Sequence, residues 1–112
     1  MVYQPDNWVV IRFTTDSPHF RVLGGWSGGY LTGDSWRLNS GITEHEFDGD
    51  YWYFYGSSGS CYKCYLDSYG LHVNNLGAWQ SIEKHYRDKV TLLGDQEWVT
   101  EGWKWVVGDT DD

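Results

Sequence analysis

The chain has 112 residues, with 16 acidic and 8 basic side chains, a formal charge of −8 and a pI of about 4.7. That length supports one core and excludes a two-domain reading, and the acidity opposes direct binding of nucleic acid, which rests on clustered Lys and Arg. No apolar stretch approaches the ~18 residues of a membrane span, and Met1 to Asp6 lacks the basic start and apolar run of a signal peptide, so a cytoplasmic protein is expected.

Asn7 to Phe13 reads as a first strand, with Val9, Ile11 and Phe13 on one face and Trp8, Val10 and Arg12 on the other. The turn residues 14 to 18 lead into a second run, His19 to Leu23, which completes a hairpin with a five-residue loop. Gly24-Gly25-Trp26-Ser27-Gly28-Gly29 supplies bulges or a wide turn. It lacks the lysine of a phosphate-binding loop, and its G-x-S-x-G letters lack the helix that a nucleophile elbow requires.

Asp34 to Leu38 is a short strand and Asn39-Ser40-Gly41 a turn. In Ile42 to Asp48 the two-residue period puts Glu44, Glu46 and Asp48 on one face and Thr43, His45 and Phe47 on the other. Gly49-Asp50 turns the chain into Tyr51 to Tyr55, a strand aromatic on both faces and hence central or covered on both sides. A further turn and Cys61 to Leu66 complete a three-stranded meander.

Leu76, Trp79, Ile82 and Tyr86 then fall at helical spacing, Asn74 or Asn75 can cap, and Glu83 and Arg87 form an i,i+4 pair, which predicts one helix over about 75–88. Val90 to Leu93 is a short strand, Trp98 to Val107 a last extended run with three tryptophans, and 108–112 a frayed tail. The fold class is therefore α+β: one domain over 1–112, a mainly antiparallel twisted sheet of hairpins and a meander, with one helix packed across it.

Little in the chain carries chemistry. Cys61 and Cys64 are three residues apart on a strand, so their sulfurs point to opposite faces, and no second pair completes a tetrahedral zinc site. His19, His45, His72 and His85 are scattered through different elements, and paired carboxylates such as Glu44 and Glu46 are more often a solvated face than a glycosidase pair. No catalytic residue, metal site or cofactor is expected.

The acids are the stronger signal. Between Arg37 and Lys63 there are four acids and no Lys or Arg, and from Asp95 onward six acids stand against Lys104 alone. Concentrated negative charge attracts basic protein surfaces. Tryptophans in excess of what one small core hides mark interfaces or ligand platforms, and Trp98, Trp103 and Trp105 are the expected surplus.

Arg21-Val22-Leu23-Gly24-Gly25-Trp26, Gly33 to Gly41 and Tyr55 to Tyr62 resemble segments of small proteins encoded by tailed phages and prophages, over about residues 7–80. The family carries no assigned chemistry. The resemblance implies a protein acting inside an infected bacterium, where small acidic phage proteins bind and block host factors, restriction and CRISPR nucleases among them.

The expected function is thus non-enzymatic: binding, and inhibition, of a host protein that itself handles nucleic acid. Glu44, Glu46, Asp48 and Asp50 are the expected contacts, with Glu97, Trp98, Glu101, Trp103 and Trp105 as a second surface. Homodimerisation through an aromatic sheet face is a further expectation. The alternative is an aromatic-rich module for a carbohydrate or a signalling nucleotide, the latter requiring Arg12, Arg21 and Arg37 to converge.

Overall fold

A computed structural model describes residues 1–29 and 33–100. Their strands form two four-stranded sheets. The first has the order β1 (Val2–Tyr3), β7 (Cys61–Tyr65), β6 (Tyr51–Gly56), β5 (Ile42–Phe47), and the second the order β4 (Gly33–Leu38), β3 (His19–Gly29), β2 (Asn7–Phe13), β8 (Val90–Leu92). Every pairing is antiparallel except the short β1 to β7 contact. Helix α1 (Val73–Tyr86) lies on the second sheet, a short 3-10 turn follows it, and α2 (Glu97–Thr100) comes after β8.

Three layers result. Trp8, Val10 and Val22 face the first sheet and pack with Trp52, Phe54, Tyr62 and Cys64. Val9, Ile11, Phe13 and Leu23 face the helix and pack with Ala78 and Trp79. The alternation legible in β2 therefore serves two cores, one on each face, and the single expected sheet is divided into two. The β2–β3 hairpin has its five-residue loop, and the glycine run continues β3 with a bulge between Trp26 and Gly29.

Buried asparagines join the layers. Asn7 Nδ2 donates to Asn74 Oδ1 at 3.0 Å and to Asn75 Oδ1 at 3.2 Å, Asn74 Nδ2 returns a bond to Asn7 Oδ1 at 2.7 Å, and Asn75 Nδ2 donates to the Leu23 carbonyl at 3.3 Å. Each of these three amides is satisfied, as burial demands. The helix begins and ends two residues earlier than expected, with His72 as its N-cap; Asn75 acts from the third helical position, accepting the His72 N–H at 2.9 Å. Arg87 leaves the helix at φ 54°, so the expected Glu83–Arg87 pair does not sit within it. Of the expected apolar stripe Trp79 is buried and Ile82 and Tyr86 pack against the same core, but Leu76 is exposed, and Asn74, Asn75 and Ala78 complete the buried face instead.

Candidate protein-binding face

The outer face of the first sheet carries the densest grouping of predicted contact residues. Strand β6 alternates half-buried Tyr51, Tyr53 and Tyr55 with Trp52 and Phe54, which point into the core. The register sets Glu44 beside Tyr55 and Glu46 beside Tyr53 on one flank, and Cys61, Lys63 and Tyr65 beside Tyr55, Tyr53 and Tyr51 on the other. Residues directly opposite in an antiparallel pair share a face, so these side chains form one surface. Strand β6 is central, as expected, but only one of its faces is covered.

The phenols and carboxylates are linked diagonally. Tyr55 donates its hydroxyl to Glu46 Oε1 at 3.0 Å and Tyr53 to Asp48 Oδ2 at 2.9 Å. Asp48 lies just past the strand end and also closes the hairpin, its Oδ1 accepting the N–H groups of Asp50 at 2.9 Å and Tyr51 at 2.7 Å, while Gly49 takes φ 103°. The three donors hold the Asp48 carboxyl below the usual carboxylate range, the bond from Tyr51 contributing most. The Tyr55 hydroxyl is pushed up to about 12, chiefly by its bond to Glu46. Lys63 Nζ sits 4.4 Å above the Tyr51 ring, so the phenol face already holds a cation. The surface is tyrosine-rich and anionic along the β5 flank.

Glu44, Glu46 and Asp48 are brought together here, and Asp50 lies at the adjoining turn. Of the second expected surface the structure describes Glu97 and Trp98 alone, and it corrects the placement of Trp98. Trp98 was expected exposed on an extended run; it is 2% exposed on the four-residue helix α2. The helical turn carries the indole between the sheets, where its ring centroid lies 5.4–5.8 Å from those of Trp8, Trp52, Phe54 and Tyr69. Glu97 accepts the Gly94 N–H and so closes the turn before α2. Glu101, Trp103, Trp105, the rest of the expected last strand and the 108–112 tail lie outside the described residues.

Sequence reasoning missed the tyrosines. The signal was available in the β6 alternation, since placing Trp52 and Phe54 inward leaves every tyrosine of that strand outward. It also missed Trp36, which is 52% exposed on the edge strand β4 and is the one exposed tryptophan among the described residues.

Cys64 is buried and Cys61 half-buried on opposite faces, and burial raises both thiols. Among the described residues no three His, Cys, Asp or Glu converge as a metal site. Arg12 and Arg37 lie on one face of the second sheet and Arg21 on the other, where it donates to His19 Nε2, so the three arginines do not converge on a nucleotide phosphate. Among the described residues no helix is long and apolar enough to cross a membrane. Comparison with protein-family models, with curated proteins and with solved structures finds no match to this chain.

Proposed function

We propose that the chain is a non-enzymatic binding protein whose outer β5–β6–β7 face engages a basic surface on a partner protein and blocks that surface. The observation that carries this reading is the coincidence of Tyr51, Tyr53, Tyr55 and Tyr65 with Glu44, Glu46 and Asp48 on one open sheet face. Tyrosines supply large contact area at little conformational cost, and they are enriched among the residues that dominate interface energies. Carboxylates two residues apart on a strand stand about 7 Å apart and attract Lys and Arg over longer range. The hydroxyl bonds preset the carboxylates of Glu46 and Asp48, so less ordering remains on association.

A partner whose basic surface normally receives a phosphate backbone fits this face, which is the inhibitory role expected of a phage-encoded protein. A second copy fits it less well, because pairing the face with itself opposes like charges around a single lysine from each copy.

The test is capture of partners from a bacterial lysate by the unmodified chain and by variants. A specific partner retained by the wild type should be lost as salt rises and lost with Glu44→Lys/Glu46→Lys. Replacing Tyr53 by Ser should weaken it by about tenfold or more. Retention unchanged by both variants would remove this face from the function.

A further inference from the structure

A concave surface lies on the side of the molecule opposite the tyrosine face. Strand β4 ends its sheet, pairing among the described residues with β3 alone, so the backbone N–H and C=O groups along its other side are unpaired by strand. Beside that edge runs a groove of about 540 Å³. Trp36 and Asp34 line it on β4, and Val73, Gly77, Ser81 and His85 line it on α1. Asn74 packs against Gly25, the register partner of Trp36, and Tyr86 against Phe13, the partner of His19. Helix and edge strand therefore run in the same direction.

Asn74, Ala78, Ile82 and Tyr86 form the floor of the groove and belong to the core beneath it, and Asp34 accepts the Gly28 N–H at 2.9 Å, whereas the helix flank is open. Val73 is 85% exposed, and a side chain added at Gly77 would meet no atom within 4 Å. Gly77 and Ser81, one turn apart, keep the helix flank low, and Trp36 stands as the opposite wall. A strand edge unpaired among the described residues, beside a shallow helix flank and an exposed indole, is the geometry by which an extended segment adds to a sheet, with backbone bonds for affinity and alternate side chains in the groove. The ends differ in charge. Asp34 lies where β4 begins, whereas His85 lines the other end, with Lys84 beside it on the last helical turn.

We propose that this groove receives an extended segment of a partner polypeptide, which pairs with the outer edge of β4 as a fifth strand and lays alternate side chains between Trp36 and α1. Charge complementarity orients it, with a Lys or Arg at the Asp34 end and a carboxylate at the His85 and Lys84 end. This site is separate from the tyrosine face and does not depend on it.

The probe is a displayed library of random linear peptides long enough to span β4, selected on the full chain. Enriched sequences should share alternating apolar residues flanked by opposite charges. Synthetic copies should lose binding on N-methylation at alternate positions and keep it at the interleaved ones. Gly77→Trp and Ser81→Trp, each checked to be no less stable to heat than the wild type, should weaken binding by about tenfold or more; Glu46→Lys on the far face should leave it within about twofold. The proposal is overturned if no sequence is enriched, if enriched peptides tolerate N-methylation at every position or ignore both groove-filling variants, if Gly77→Trp instead dissolves a homodimer, or if the groove takes only sugars.

Discussion

The side chain of Asn74 occupies the space that a Cβ on Gly25 would need, with its Oδ1 and Cγ both inside contact distance of that position. The glycine is thus a backbone surface on which a buried amide rests, and that amide in turn bonds Asn7 and Ser27. One missing methyl group docks the start of α1 onto β2 and β3.

Gly25→Ala should therefore destabilise the fold by about 3 kcal/mol, since the alanine displaces a hydrogen-bonded buried side chain and leaves polar atoms unpaired. Gly77→Ala, in the same helix but facing open space, should stabilise by about 0.5–1 kcal/mol through helix propensity and lowered unfolded-state entropy. Thermal unfolding of the two variants checks both signs at once.

Trp98→Ala should cost about 3–5 kcal/mol, because it empties a site enclosed by four aromatic rings. Trp36→Ala should change stability by less than about 0.5 kcal/mol, its indole being half in solvent. Chemical denaturation separates them, and near-UV circular dichroism should report loss of the aromatic cluster only in the first.

Asp48 sets a pH dependence. Its folded-state pKa lies below the unfolded value of about 3.9, so its ionised form adds stability that is fully present above that value and is lost as pH falls through the folded pKa. The melting-temperature gap between wild type and Asp48→Asn should be open at neutral pH and should narrow steadily below about pH 4. A gap that is constant across that range would show that hairpin closure alone, without the charge, accounts for the effect.

The cysteines should behave as two unlike thiols. Cys61, half-buried on the tyrosine face, should react slowly with a thiol reagent in the native protein, and Cys64 only after unfolding. Cys61→Ser should abolish the native reaction. Opposite-face placement also predicts that mild oxidation yields no internal disulfide, which non-reducing electrophoresis of monomer checks.

Much of the fold was legible because side-chain period and turn residues are local signals. The β2–β3 hairpin, the β5–β6–β7 meander and α1 all follow from such signals, and so does the outward placement of Glu44 and Glu46. What was not legible depends on long-range packing. The division into two sheets is decided by which neighbours the strand pairs find, and no periodicity in β2 distinguishes one covered face from two. Leu76 fits a helical stripe as well as Ala78 does; burial of Asn74 and Asn75 by the distant Asn7 rotates the helix away from it. Trp98 was misplaced because a four-residue helix is too short to show a period. The tyrosine face is different: the β6 alternation carries it, once Trp52 and Phe54 are known to be the inward pair, and that choice is made by the core they pack against.

The placement of β2 also governs how the molecule opens. It is paired on both sides, covered on both faces, and bonded at the Val10 amide to the Tyr69 hydroxyl at 2.9 Å. Exposing the whole strand to water requires loss of both strand neighbours and parting of the layers on both its faces. Its amide hydrogens should accordingly be the last to exchange with deuterium, and their rates in Val9 to Ile11 should report the free energy of global unfolding itself.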